Sequence, residues 1–291
     1  MSISRQNLTV VIVTLKSEHI IDQCIKSIDN NIAIIVVENS NNEEFKKNIE
    51  NKYKNVSCIL SNKNIGMGAG NNLGMDNAKS DFILILNPDV ILSNDAIDKL
   101  IIASNDQSNF AIMSPISQDI NYPNYFIKNK ECIDNKNIFE VESLDGYCML
   151  INKKRINSIF IKEKIFDENF FMYLENNDLC KRVRDKNEKI FVLPTCTVKH
   201  FGAKAVSENF VKEVELSRHW HWTWSKFYFS KKHKGYFYAL LGGLPKFFSS
   251  ITKCLFYYVI LKKYKSKIYY NRANGFFNAM LGKSSWYRPK L

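Results

Sequence analysis

The sequence predicts an α/β fold, a mostly parallel sheet flanked by helices, with a basic and aromatic helical appendage at its C-terminal end. Three observations carry this reading. Four short apolar runs recur through the first 90 residues with helical or polar stretches between them. Each run ends in residues able to hydrogen-bond. Near residue 215 the composition changes abruptly.

The first run, Leu8–Thr14 (LTVVIVT), is continuously apolar up to its last residue. That is the signature of a parallel strand covered on both faces. Ser17 reads as the N-cap of a helix in which Ile20, Ile21, Cys24, Ile25 and Ile28 recur at helical period. Ile32–Val37 is a second buried strand, and Glu38-Asn39-Ser40 leaves its C-terminal end. Val56–Leu60 is a third, followed by the polar, glycine-rich NKNIGMGAGNNLG. Asp81–Leu86 is a fourth and ends at Asn87-Pro88-Asp89. Strands and helices at this spacing build βαβ units and hence a parallel sheet.

The cysteines bound the setting. All seven lie outside any CxxC pair or Cys/His ligand spacing. Reduced thiols in a cytosolic compartment are expected, and neither a disulfide scaffold nor a zinc site. The N-terminal MSISRQNLTVVIV lacks the organisation of a signal peptide.

The net charge of +12 is unevenly placed. From Leu216 to Leu291 there are 15 Lys and Arg and no Asp or Glu, which leaves 26 bases against all 29 acids in the first 215 residues. The same tail holds 21 of the 38 aromatic residues. The expected organisation is a first domain over 1–215 and a helical region over 216–291.

In a parallel sheet the ligand lies beyond the carboxyl ends of the strands. Thr14, Glu38, Asn39, the glycine-rich loop, Asn87 and Asp89 occupy those ends, and such a rim reads as a nucleotide site. A dinucleotide-binding dehydrogenase is excluded by context. Its G-x-G-x-x-G should open the first helix, but the first turn, TLKSEH, has no glycine. Gly66, Gly68 and Gly70 instead follow the third strand, with Asn71 at the sixth position. Pro88 fixes the turn that holds Asp89 at the rim. A carboxylate there is a hard ligand for Mg²⁺ or Mn²⁺ that also holds a diphosphate. Taken alone, NPD is also ordinary strand-to-helix turn chemistry.

Further along, FFMYLENNDLCKR sets Glu175 and Asp178 three residues apart after an aromatic run. A helix beginning near Leu174 brings both carboxylates to one face. First-turn acids are also favoured by the helix dipole alone.

Five blocks appear in order: VVIVTLKSEHIIDQCIKSI, IIVVENS, NKNIGMGAGNNLGMDNAKSDFILILNPDV, LDGYCMLINKKRI and FDENFFMYLENNDLCKRVRDKNEKIFVLPTCTVKHFG. Over roughly residues 8–203 they resemble the family 2 glycosyltransferases of the Rossmann-like GT-A fold, rhamnosyltransferase-like branch. The resemblance implies inverting transfer of a sugar from a nucleotide diphosphate, assisted by Mg²⁺ or Mn²⁺. By position it implies that Thr14 and Glu38 cradle base and ribose, with Glu38 where the family usually has Asp. Asn64, Gly66, Asn71 and Asn72 match the loop that closes over nucleotide and donor sugar. Asn87 and Asp89 match Asp-x-Asp with one carboxylate in place of two. His200 matches a late metal or phosphate contact, and as a residue it reads equally well as a strand cap. Asp145 matches the acceptor side.

The resemblance also identifies Glu175 or Asp178 as the catalytic base, because Asn176 stands where the family usually has a second acid. At about 100° per residue Glu175 lies about 40° from Leu179 and 80° from Val183, at the edge of the buried stripe. Asp178 has ion-pair spacing to Arg182. Glu175 is therefore the expected base and Asp178 the residue that holds Arg182.

The tail mixes Trp220, Trp222, Trp224 and many Lys with apolar stretches broken by Gly242-Gly243, Pro245, Lys246 and Lys253. Such segments suit the interface of an anionic membrane better than a span. No RNP or helix-turn-helix pattern supports nucleic acid. Packing on the first domain, or a homodimer, is the plainer reading. The expected protein extends a lipid-linked or polysaccharide acceptor at the inner face of the cytoplasmic membrane. The rival is a catalytically silent sugar-nucleotide-binding or scaffold protein, motivated by Asn176.

Overall fold

The computed structural model describes residues 2–134, 136–202 and 205–290. The chain forms two compact units, Met1–Asp167 with Asn176–Ser207, and Glu168–Glu175 with Glu208–Leu291. The division after Ser207 precedes residue 215. The eight-residue segment Glu168–Glu175, which the sequence places inside the first domain, belongs to the second unit.

The first unit runs β1 (Leu8–Thr14), α1 (Ile21–Lys26), β2 (Ala33–Glu38), α2 (Glu43–Lys52), β3 (Val56–Leu60), α3 (Met67–Asn77), β4 (Phe82–Leu86) and β5 (Val90–Leu92). It continues with α4 (Ala96–Asp106), β6 (Phe110–Ser117), β7 (Tyr125–Phe126), β8 (Phe139–Glu140), β9 (Ser143–Leu144), β10 (Cys148–Asn152), α5 (Lys153–Ile159), α6 (Glu175–Asp185) and β11 (Lys189–His200). The main sheet has the order β3-β2-β1-β4-β10-β6-β11-β5, with β8 beside β11. It is parallel from β3 to β4. It becomes mixed where β10 runs antiparallel to both β4 and β6.

The continuous apolar runs form these strands because both faces are covered. Val10 and Ile12 point into one core with Ile21, Phe45 and Leu100 from α1, α2 and α4. Val11 and Val13 point into the other with Met75, Ile156 and Leu179 from α3, α5 and α6. Register brings Thr14 level with Glu38 across β1 and β2, while Ile12 pairs with Leu86, the last residue of β4. The polar residues after these strands therefore share one rim. Ser17 is not the N-cap of α1. Its Oγ donates to the Ala205 carbonyl at 2.6 Å, and α1 starts later, at Ile21, without a side-chain cap.

The second unit contains α7 (Val211–Lys234), α8 (Tyr236–Val259) and α9 (Lys263–Met280). Trp220, Trp224, Phe227, Ala239, Phe276 and Ala279 form its core. Trp220 and Trp224, four apart, are buried, whereas Trp222 on another face of α7 is partly exposed. The apolar stretch that the glycines and Pro245 interrupt folds as one helix, α8. Gly243 is used for close packing instead, since a Cβ there would come within 2.0 Å of the Phe276 ring.

Candidate active site

On the rim of the first unit, Thr14 Oγ1 donates to the Val37 carbonyl at 3.4 Å. The Glu38 carboxylate is buried and already engaged. It accepts from Ser40 N and Oγ at 2.9 and 2.5 Å and from Asn42 N at 2.7 Å. Glu38 thus folds the β2–α2 loop, a task that needs its reach. Asn39 Nδ2 donates to the Gly66 carbonyl at 3.2 Å, which ties this loop to the start of α3. Gly66 caps α3 at φ 87°, a conformation side chains disfavour, and its N–H donates to Asn64 Oδ1 at 3.1 Å. Asn72 clamps Phe166 from both sides, donating to its carbonyl at 2.8 Å and accepting from its N–H at 3.0 Å. That amide therefore ties α3 to the backbone at Phe166.

A second group gathers where β4, β5, β10 and β11 end. Asp89 is buried, and its Oδ1 lies 3.4 Å from His200 Nε2. His200 pairs with Val90 across β5 and β11 and stacks on Tyr147 with centroids 4.1 Å apart. Asn87 N donates to the Tyr147 carbonyl at 2.9 Å. Asp145 is exposed as a residue, yet desolvation by its surroundings raises its carboxyl above the usual range, opposed by His200. The structure thus brings Asn87, Asp89, Asp145 and His200 together. The sequence reading missed Tyr147. Its signal is an aromatic residue two positions after Asp145, at the mouth of a buried strand.

Four buried acceptor oxygens on this rim, Asn39 Oδ1, Asn71 Oδ1, Asn87 Oδ1 and Asp89 Oδ1, have no hydrogen-bond partner among the described residues. Buried acceptors left unpaired are costly, about 1–3 kcal/mol each, so such a set is suited to donors on a ligand or to a cation. Asp89, Asn87 and His200 offer a carboxylate, an amide oxygen and an imidazole, a donor set compatible with Mg²⁺ or Mn²⁺. Among the described residues no three His, Cys, Asp or Glu side chains form a metal cluster. Most of such a cation's shell would therefore come from a diphosphate and water.

On α6, Leu179 and Val183 are fully buried, as their spacing predicts. Asp178 is fully buried too, and accepts from Arg182 Nε at 2.8 Å. Arg182 also donates to the Ile165 carbonyl and stacks on Phe160 at 4.4 Å. Asn176 donates from Nδ2 to the Leu144 carbonyl at 2.6 Å. Its place is in the wall of the first unit. An acid there would face a carbonyl with no proton to give.

In the second unit, the segment Glu168–Glu175 is held along its length. Asn169 O accepts from Ser285 Oγ at 2.9 Å and Met172 O from Ser225 Oγ at 2.8 Å. Phe170 packs edge-on against Tyr228, Phe171 lies on His221, and Tyr173 meets Trp222 edge-on. Burial keeps His221 neutral, its pKa lowered to about 3. Tyr173 and Leu174 both adopt left-handed backbone, φ 71° and 67°. Two successive non-glycine residues in that region store strain that the surrounding contacts must hold. Directly after them comes Glu175, half-buried as a residue, whose enclosed Oε2 has no hydrogen-bond partner among the described residues. Burial raises its carboxyl to about 7.

Comparison with known proteins agrees with this architecture. A low-salt glycan biosynthesis hexosyltransferase, Agl10, of Haloferax volcanii is 26% identical over 202 residues. The match covers 63% of this chain and 64% of that relative's length. Among solved structures, GalNAc-T7 with UDP, GalNAc and Mn²⁺ superposes with TM-score 0.54 at 12% identity, covering 77% of this chain and 51% of that one. TarS residues 1–349 of S. aureus superposes with TM-score 0.52 at 13% identity, covering 97% of this chain and 93% of that one. The fold is accordingly GT-A-like, a mixed sheet between helices with a helical C-terminal region. The family described as Glycosyl transferase family 2 matches residues 9–178, and the chain belongs to it.

Proposed function

We propose that the protein is an inverting glycosyltransferase that moves a hexose from a nucleotide diphosphate to an acceptor hydroxyl in glycan biosynthesis. The observation that carries this reading is Glu175. It is an enclosed carboxylate with a free oxygen, held at the start of a helix by strained backbone, with a pKa near neutrality. A general base works best when its pKa lies near the working pH. Glu175 takes the proton of the acceptor hydroxyl while that oxygen bonds to the anomeric carbon. The bond from this carbon to the diphosphate oxygen breaks on the opposite face, and the nucleoside diphosphate leaves with the electron pair.

Family membership supports the reaction class, and the Haloferax relative supports a hexose and glycan biosynthesis. The unpaired rim acceptors Asn39, Asn71 and Asn87 suit the N–H and O–H groups of a nucleotide sugar. Asp89 and His200 would hold Mg²⁺ or Mn²⁺. When bound, that cation supplies positive charge to the diphosphate as it departs. For the donor we favour dTDP-rhamnose, with a UDP-sugar next. The acceptor is a lipid-linked or polysaccharide chain at the cytoplasmic membrane face, a reading supported by the acid-free tail.

The silent-scaffold reading rests on Asn176, which cannot take a proton as a base; the enclosed Glu175 carboxylate supports the enzyme reading instead. Turnover with a panel of nucleotide sugars and lipid-linked acceptors tests the proposal. Transfer to one acceptor is expected. Tight nucleotide-sugar binding with no transfer across the panel would favour the scaffold.

A further inference from the structure

Helix α8 is apolar on two opposite faces. One face, with Ala239 and Ser250, is buried within the three-helix unit. At about 100° per residue, Phe237, Leu241, Phe248, Leu255 and Val259 fall within about 40° of one another on the far side. These five are between 59% and 76% exposed. At 1.5 Å per residue the stripe is about 33 Å long. It ends at the corner between α8 and α9, where Leu261 is 79% exposed. Leu255 also lines a groove of about 250 Å³ with Phe247, Ile251, Tyr270 and Phe277, which extends the apolar surface toward α9. A continuous apolar strip of this size on a soluble surface marks a binding face.

Its charge pattern selects the partner. Lys262, Lys263, Lys265 and Lys267 follow the corner at the end of the stripe, all four exposed. No Asp or Glu lies anywhere from Leu216 to Leu291. A second copy meeting this face symmetrically would set lysines against lysines. An anionic bilayer would neutralise them while taking up the apolar side chains. Among the described residues no helix is long and apolar enough to cross a membrane.

We infer that α8 lies flat in the headgroup region of an anionic bilayer, with the Phe237–Val259 stripe buried in the acyl boundary and the α8–α9 lysines on the lipid phosphates. The inference rests on the membrane reading above and names the surface that performs it.

The test is flotation of the full chain with vesicles of phosphatidylcholine alone or mixed with phosphatidylglycerol. The parent should float with the mixed vesicles. The triple variant Leu241→Ser, Phe248→Ser, Leu255→Ser should lose at least tenfold in partitioning, because each loses buried apolar surface. Lys→Gln at 262, 263, 265 and 267 should cost up to about fivefold per charge removed near the surface. Both variants should keep the parent's circular dichroism and nucleotide affinity, since none of these side chains lies on the rim of the first unit. A parent that floats together with an equally floating triple variant would overturn the inference while leaving the membrane reading standing. A parent that floats with neither vesicle would sink both. A parent dimer that the triple variant dissociates would overturn the inference by assigning the stripe to a second copy.

Discussion

The guanidinium of Arg288 lies 3.7 Å over the ring of Phe171, four residues before Glu175. Burial lowers the Arg288 pKa to about 10, so the group keeps its charge at neutral pH. A desolvated cation–π contact is worth about 0.5–2 kcal/mol. With Ser285 on Asn169, this contact ties the C-terminal residues to the strained segment that carries the base. Arg288→Ala should lower turnover several-fold at unchanged nucleotide affinity, with partial recovery in Arg288→Lys. Steady-state rates beside calorimetric nucleotide binding check this. Equal losses of rate and of affinity would point to a general packing defect instead.

Asn176→Asp puts an acid where the resemblance expects one, which on the sequence alone predicts a gain in activity. The structure predicts the opposite. The new carboxylate faces the Leu144 carbonyl, where Nδ2 now donates, so its folded-state pKa is raised. The variant should approach parental stability only below the ordinary Asp range, where the carboxyl is protonated. It should lose about 1–3 kcal/mol as pH rises to 7, the penalty of a lost donor and an unpaired acceptor. Denaturant unfolding at about pH 3 and at pH 7 measures the difference.

Asp178→Asn tests the ion pair on α6. The spacing to Arg182 is visible in the sequence, but its burial is not. An exposed pair of this kind would be worth only tenths of a kcal/mol. Asp178 is fully buried and Arg182 nearly so, and removing one partner of a buried pair costs about 3–5 kcal/mol. A fall in Tm of about 5–15 °C is expected. Loss of activity without any loss of stability would make Asp178 the base.

The parallel half of the sheet was legible because its strands are covered on both faces, and continuous apolar runs such as Leu8–Thr14 can be little else. Their C-terminal polar residues located the rim for the same reason. What each polar side chain does there was not legible. Asn72 satisfies the backbone of Phe166, 94 residues away, and Glu38 turns back on Ser40 and Asn42 of its own loop. The segment Glu168–Glu175 reads locally as part of the first domain, since its partners Trp222, Ser225 and Arg288 are some 50 or more residues away. Helix α8 runs unbroken through Gly243 and Pro245, although both are local breakers. Tertiary packing against Phe276 overrides that propensity.

Asp89→Asn removes the one carboxylate of the Asn87-Pro88-Asp89 turn. In the parent, affinity for a nucleoside diphosphate should rise when Mn²⁺ is added. In the variant that rise should shrink by tenfold or more, with the parent's circular dichroism kept. Calorimetric titrations with and without Mn²⁺ give the comparison. An Mn²⁺ effect of parental size in the variant would remove Asp89 from the metal's ligands.

The central claim is that Glu175 is the base, and its pH–rate profile tests this most directly. In the parent, kcat should rise with pH through about 7 as the Glu175 carboxyl ionises. Because that pKa is raised by burial, the parent also loses stability as pH climbs from the ordinary carboxyl range toward 7. Glu175→Gln avoids this loss and should be at least as stable as the parent at pH 8. Its kcat should fall by about 10²–10⁴-fold, the usual general-base contribution, with the rise near pH 7 abolished and nucleotide affinity kept. A Glu175→Gln enzyme within a few-fold of the parent, still rising through pH 7, would contradict the account.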